Sequence, residues 1–246
     1  LFHTTHAFGR EVANLNYLVS RKVDGLLVSL SSLTTDISHF ESLIERGLPI
    51  VFFDRVPQTE NIHKITNNNF DASYQATKHL IDSGKKRIGH LTSPRYLSIT
   101  SERLGGYRKA LEDHHLPYDE SYVQYCHHGG MVAAENKEAI LNLLGLPQPP
   151  DSILAASDRL TTGCLAVLKQ QNIRIPEEIA LVGFTNISVA DLMNPPLTSV
   201  VQPAEEMGQK ATELLIKLIG TPKKVVDYES QMLSSHLEIR ASSQAK

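Results

Sequence analysis

The sequence has no tryptophan, only two cysteines and no surplus of positive charge: 24 lysines and arginines face 27 aspartates and glutamates, a formal net charge of −3 over 246 residues. Each shortage excludes something. With Cys126 and Cys164 as the only thiols and no Cys-x-x-Cys pair, a disulfide framework and a thiolate metal site are poor readings, and a reducing compartment is the easier one. No apolar run approaches the ~18 residues of a membrane span, the longest being stretches such as Gly25 to Leu30 and Ile179 to Phe184. Apart from Lys85-Lys86-Arg87 and Lys223-Lys224 there is no basic cluster, so the chain by itself lacks the footprint needed to grip a phosphate backbone. Enzyme signatures are missing as well. There is no Gly-x-Ser-x-Gly elbow, no Gly-x-x-x-x-Gly-Lys phosphate loop, no His-Glu-x-x-His and no Gly-x-Gly-x-x-Gly after a strand. His114-His115 and Cys126-His127-His128 have no third cluster at ligand spacing, and adjacent strand residues face opposite ways. No metal, cofactor or enzymatic turnover is expected.

What remains is ordinary globular composition, 41% hydrophobic and 21% charged. The length suits two compact lobes of roughly 100 to 130 residues each, or one large α/β domain. Apolar, β-branched runs alternate with helical patterns about every 25 to 35 residues, the rhythm of a parallel sheet covered on both faces. Strands are expected at 1–5, 25–30, 50–53, 87–91, 121–126, 152–156, 179–183, 197–201 and 225–229, with a last one near 232–240. Helical spacing links Val12, Leu15 and Val19; Ile37, Phe40 and Ile44; Leu104, Tyr107 and Leu111; Leu160, Cys164, Val167 and Leu168; and Met207, Ala211, Leu214, Leu215 and Leu218. Asp36 and Asp158 are placed as N-caps, Pro203 as a first-turn proline, and Gly47 and Gly84 as helix stops. The first residues lack the basic start and cleavage site of a secretory signal, which favours the cytoplasm. The chain opens on a weak strand and a helix with no strand-helix unit ahead of them, as if it began inside a domain.

Open α/β sheets bind ligands at the carboxyl ends of their strands, and those positions are polar here. In order they are Ser29 and Ser31, Asp54-Arg55, Thr92-Ser93, His127-His128, Ser157-Asp158-Arg159 and Thr185-Asn186. Two such sets, one per lobe, describe a cleft. Structural roles stay open for each: a solvated turn pair for Asp54-Arg55, a helix cap for Asp158, turn closure for Ser157 and Thr185, an exposed loop position for His128. Arg103 is read in the first turn of a helix, where the dipole favours an anion. That misfit points to a functional role, such as donating its fork of hydrogen bonds to a ligand.

Several segments carry a family resemblance. Lys22-Val-Asp-Gly-Leu-Leu-Val28, Gly47-Leu-Pro-Ile-Val-Phe-Phe-Asp-Arg55, His79 to Gly89, Arg103-Leu-Gly-Gly-Tyr107, Ala155-Ala-Ser-Asp-Arg159, Arg174 to Phe184 and Pro195 to Pro203, in this order, resemble the lactose-repressor/galactose-repressor family of bacterial transcription regulators. The resemblance implies an effector-binding core of two doubly wound parallel-sheet lobes, periplasmic-binding-protein-like, with three interlobe crossovers near Pro94, Gln202 and Glu229. The amino-terminal lobe would comprise 1–93 and 203–228, short of its first strand and helix, and the carboxy-terminal lobe 94–202 and 229–246. A DNA-binding helix-turn-helix domain is expected to be absent from this chain, so operator DNA would be reached only through that headpiece.

The same resemblance puts the effector contacts on Ser29 and Asp54 in the first lobe and on Arg103, His128, Ser157, Arg159 and Thr185 in the second. Thr185 stands where many members have aspartate, and His128 where many have a large aromatic. Asp54, Arg103 and Arg159 favour a small polar effector, anionic or polyhydroxylated, such as a sugar, a sugar phosphate or a similar metabolite. A homodimer is implied by palindromic operator recognition. The competing readings are a periplasmic sugar-binding protein of an ABC transporter, which shares the bilobal fold, and an α/β enzyme such as a sugar isomerase or kinase.

Overall fold

The computed structural model describes residues 8–220 and 227–244; the strand expected at 1–5 and the first two positions of the one expected at 225–229 lie outside them. In chain order the elements begin α1 (Phe8–Ser20), β1 (Leu26–Val28), α2 (Ser38–Glu45), β2 (Ile50–Phe53), β3 (His63–Asn67), α3 (Asn69–Asp82), β4 (Ile88–Thr92) and α4 (Ser98–Asp113). They continue with β5 (Val123–Tyr125), α5 (Ala133–Leu144), β6 (Ser152–Ala155), α6 (Asp158–Gln170), β7 (Ala180–Phe184), β8 (Thr198–Val201), α7 (Ala204–Ile219), β9 (Ser230–Leu233) and β10 (His236–Glu238).

The chain divides into two compact units. Unit 1 takes the residues up to Asn67, the short segment Tyr96–Ser98 and Pro203–Leu233, and unit 2 takes Asn68–Arg95, Ile99–Gln202 and the residues from Ser234. Unit 1 holds a four-stranded sheet, all parallel, in the order β1-β2-β3-β9. Strand alternation explains how it is covered. Ile50 and Phe52 of β2 pack with Leu15, Phe40 and Leu43 of α1 and α2 on one face. Val51 joins Ile65 and Met207, Ala211, Leu214 and Leu218 of α7 on the other.

Unit 2 holds a six-stranded sheet, β10-β8-β7-β6-β4-β5, parallel except for β10 against β8. Leu91, Ile153, Ala155 and Leu181 face α5 and α6, whereas Ile88, Leu154, Val182, Phe184 and Val200 face α3 and α4. The chain leaves β4 through α4 toward β5 on one side, then crosses by α5 to β6 on the other side of β4. The winding therefore reverses between β4 and β6, and in such sheets a crevice opens beyond the carboxyl ends of the two strands at the reversal.

Two of the unit boundaries lie away from the expected crossovers, and the one at Gln202–Pro203 does not. The first passage falls at Asn67–Asn68, ahead of Pro94, where the chain only dips into unit 1 over Tyr96–Ser98, because β4 pairs with β5 and β6 in the second sheet. The last falls at Leu233–Ser234 rather than Glu229, because β9 stays registered against β3, with Lys64 opposite Ser230. The expectation missed β3 because its polar run His-Lys-Ile-Thr-Asn hides a strand paired on both sides, and α3 because it buries mostly small or polar residues, Ala72, Ser73, Ala76 and Thr77, beside Leu80. Caps shift by one residue. The N-cap of α6 is Ser157, not Asp158, and Asp36 sits one residue ahead of the α2 N-cap, accepting from the Ser38 amide at 3.0 Å.

Helices α3 and α4 touch at Gly106. A Cβ added there would stand 2.1 Å from the Phe70 carbonyl oxygen and 2.8 Å from the Tyr74 nitrogen. Both obstacles are backbone, so no rotamer change relieves the clash. Gly106→Ala is expected to destabilise the protein by about 2–3 kcal/mol, read as a lowered urea midpoint; an unchanged midpoint would contradict this packing.

Candidate functional site

In unit 1 the structure brings Ser29 and Asp54 to neighbouring strand ends. Ser29 follows β1 directly, and β1 and β2 run in register with Val28 opposite Phe52. The Leu30 amide then donates to the Arg55 carbonyl at 3.0 Å, joining the two strand-end loops. Asp54 adopts a left-handed conformation, φ +59, uncommon for a residue other than glycine and a frequent mark of functional positions. Its amide donates to the Ile65 carbonyl at 3.2 Å, and its carboxylate lies 4.0 Å from Arg55 Nε, both side chains part-exposed.

The loop after β1 is fixed by a residue the sequence reading did not single out. Glu11 of α1, buried, accepts from the Ser31 amide at 2.8 Å and from Thr34 Oγ1 at 2.9 Å, and contacts His39 Nε2 at 3.1 Å. Ser31 is thereby buried behind the site, and Glu11 positions the Ser29 loop. Nothing in local sequence pattern signals it, because the bonds span 20 or more residues.

In unit 2 the guanidinium of Arg103 lies across the carboxyl ends of three strands. Nη1 donates to the Ala156 carbonyl beyond β6, Nη2 to Gln202 Oε1 beyond β8 at 2.9 Å, and Nε to Asn69 Oδ1 at 2.9 Å. Its Cζ sits 4.3 Å from the Phe184 ring centroid at the end of β7. Arg103 is only 3% exposed. Because α4 begins at Ser98, it lies beyond the first turn, and the helix-dipole misfit expected for it does not apply. What marks it is burial together with three acceptors. Gln202 and Asn69 were not among the expected site residues. Gln202 followed the strand-end rule and was read only as a crossover.

The remaining residues divide by accessibility. Thr185, expected as a contact, is 1% exposed, and its hydroxyl accepts from the Ile187 amide at 3.2 Å. Ser157 caps α6 by accepting from the Leu160 amide at 3.3 Å and remains part-exposed. His128 is half exposed, its Nδ1 3.3 Å from Glu135, whose other bonds go to the His127 and His128 amides. Arg159 is exposed in the first turn of α6, and no acceptor for its guanidinium is found among the described residues. Asn136 joins the two loops: its Nδ2 donates to the Gly130 carbonyl at 3.2 Å and lies 3.5 Å from that of Arg159. Gly130, φ +89, passes so close that a Cβ on it would lie 2.8 Å from Arg159 Cβ. A groove of about 610 Å³ opens here, lined by Gly130, Asn136, Lys137, Arg159 and Thr162 among others.

Both thiols are buried and unpaired, and burial pushes each up to about 12, so neither is a nucleophile at neutral pH. Among the described residues no group of three or more His, Cys, Asp or Glu side chains is placed to hold a metal ion. No helix among them is long and apolar enough to cross a membrane.

Parallel sheets with polar strand ends define the class: an α/β ligand-binding protein of periplasmic-binding-protein type. A family model described as a periplasmic binding protein-like domain matches residues 77–243. The HTH-type transcriptional repressor CytR of Escherichia coli K12 is 30% identical over 242 residues, 98% of this chain and 68% of that protein. The HTH-type transcriptional regulator CelR of Thermobifida fusca is 35% identical over 230 residues, 92% of this chain and 65% of that one. Among solved structures, a complex of the transcriptional regulator CelR with cellobiose matches with a TM-score of 0.84 and 33% identity, covering 96% of this chain and 71% of that one. The chain belongs to the lactose-repressor/galactose-repressor family and corresponds to its periplasmic-binding-protein-like core. It spans about two thirds of the length of the curated relatives it matches. Those relatives are transcriptional regulators, which sets the transporter reading aside.

Proposed function

We propose that this core binds a small sugar or sugar-like metabolite and that binding alters the affinity of the full-length regulator for its operator. The observation that carries this reading is Arg159, a cation held at the edge of unit 2 beside Ser157 with no acceptor among the described residues. In unit 1, Asp54 offers a part-exposed carboxylate at the end of β2. A carboxylate that accepts from hydroxyls and a guanidinium that donates to ring or phosphate oxygens suit a polyhydroxylated ligand. The cellobiose complex of a relative supports a sugar over a purine. Ser29, His128 and Ser157 complete the contacts. Thr185, already closing a turn, acts by shaping the strand end.

To regulate, the effector must favour one conformation of the protein over another; a coupling of about 1–3 kcal/mol changes operator affinity roughly 5- to 150-fold. DNA reading is assigned to the helix-turn-helix segment of the full-length regulator, working as a homodimer on a palindromic site in the cytoplasm. The core performs no turnover.

The test is calorimetric titration of the 246-residue chain with cellobiose, glucose, ribose and glucose 6-phosphate. At least one is expected to bind saturably, and Asp54→Ala and Arg159→Ala each to weaken it tenfold or more with unchanged melting temperature, since both side chains are part-exposed or exposed. No binding by any of the four, or full affinity in both variants, would overturn the reading.

A further inference from the structure

Glu11 commits a buried carboxylate to a single loop of unit 1. It lies in the first turn of α1, where the helix dipole favours an acid, on the face that carries Leu15 and Leu18 into the core one and two turns on. The side chain is 5% exposed, and taking a carboxylate out of water is costly unless its oxygens are bonded. The dipole accounts for an acid in this turn. It does not account for where the bonds of that acid go.

Both oxygens point at the loop after β1. Oε2 accepts from the Ser31 amide and Oε1 from Thr34 Oγ1, and His39 of α2 shares Oε1. Between those two loop residues the chain is already a closed turn, because the Thr34 amide donates to the Ser31 carbonyl at 3.2 Å and the Leu33 amide to Ser31 Oγ at 3.3 Å. Those bonds shape the turn; Glu11 decides where it sits. Ser29, part-exposed, stands two residues ahead of it. On its other side is Val28, the last of the three residues of β1, opposite Phe52. So short a strand fixes little beyond its own end. The place of Ser29 therefore depends on the next two residues, the Leu30 amide on the Arg55 carbonyl and the Ser31 amide on Glu11.

We propose that Glu11 is a positioning residue for the effector: anchoring Ser31 and Thr34 from behind the strand end, it aims the Ser29 hydroxyl at the sugar and so sets affinity without touching the ligand. This rests on the reading of Ser29 as a contact in a sugar-binding core and adds the group that holds it. A hydroxyl contact weakens steeply when its direction is lost, and a loop ordered before binding loses less entropy on binding. The charge itself is not what the loop needs. Glutamine at this position can accept from the Ser31 amide through its carbonyl and donate through its amide to Thr34 Oγ1 and His39, since a hydroxyl and an imidazole each take either role.

Glu11→Met, Glu11→Gln, Ser29→Ala and the double variant of Glu11→Met with Ser29→Ala test this, titrated with the same four sugars and melted without ligand. Glu11→Met keeps the length of the side chain and removes both acceptors; it is expected to weaken binding of the sugar that the parent binds by about fivefold or more at full stoichiometry. Glu11→Gln should recover most of that loss. In the Ser29→Ala background Glu11→Met should weaken binding by less than about twofold further, because the hydroxyl it positions is gone. Parent-like affinity in Glu11→Met with a lowered melting temperature would make Glu11 a structural group only, and a loss that multiplies with that of Ser29→Ala would mean that it acts elsewhere. Either result overturns the proposal and leaves the sugar-binding core standing. If Glu11→Met does not fold, Thr34→Val replaces it in the same cycle, removing one of the two loop bonds; a loss of about twofold or more that vanishes in the Ser29→Ala background is then expected, and parent-like affinity overturns the proposal. A parent that binds none of the four sugars overturns both readings.

Discussion

Replacing Arg103 with methionine is expected to destabilise the protein by about 2–3 kcal/mol, the range for leaving buried neutral acceptors without their charged donor. Methionine keeps the aliphatic stem and so isolates the loss of the guanidinium. The Asn69, Ala156 and Gln202 oxygens that it satisfies come from the start of α3 and the ends of β6 and β8. The stacking of Cζ over Phe184 at 4.3 Å goes as well. Arg103→Lys retains the charge but replaces a planar fork with a single ammonium that cannot reach acceptors on three sides, so it should recover less than half of the loss. Urea denaturation of the three proteins at neutral pH measures both effects. Stability within about 0.5 kcal/mol of the parent in Arg103→Met would show that these bonds do not hold the strand ends together. The prediction also bears on function. A lost effector response in an Arg103 variant reports on the fold of unit 2 as well as on ligand contact, so contact is better read at Asp54 and Arg159.

Much of this architecture was legible in the sequence because alternation and strand-end polarity are local signals. The runs at 50–53 and 152–156 read as buried strands and are β2 and β6 within a residue, Ser29 and Asp54 follow β1 and β2 directly, and Ser157 and Arg159 lie between the end of β6 and the first turn of α6. The first boundary between units was not legible, because it depends on which sheet β4 joins. A hydrophobic pattern shows that a strand is buried but not which neighbours bury it. Polarity misled at β3, where His63, Lys64, Thr66 and Asn67 make a strand resemble a loop. Burial was equally hidden. Arg103 and Thr185 were both expected as effector contacts, and no local pattern showed that one is also held by three protein acceptors and that the other closes a turn. Glu11 and Gln202 act through partners 20 to 99 residues away, beyond the reach of any motif.

His90 gives the second large effect, and it depends on pH. Burial holds its imidazole down at about 3 against an ordinary value of 6.5, and the nearby Arg103 and Arg108 guanidiniums push the same way. Because the folded value lies below the unfolded one, the unfolded chain takes up the proton first as pH falls. His90 therefore leaves stability untouched above about pH 6.5 and erodes it progressively between 6.5 and 3. Two pH units into that window the loss is about 3 kcal/mol. His63 and His79, also lowered mainly by burial, add smaller losses of the same sign. His90→Leu removes the largest of these contributions and both unpartnered ring nitrogens in exchange for the stack on Tyr107. The variant is expected to be about 1 kcal/mol more stable than the parent at about pH 7.5, with the gap widening to about 4 kcal/mol at about pH 4.5. Carboxylate titrations are common to both proteins and cancel in the difference. Urea midpoints at several pH values measure the gap; curves that stay parallel through the window would mean that His90 accepts its proton in the folded state, and that the β4–α4 seam is open to water.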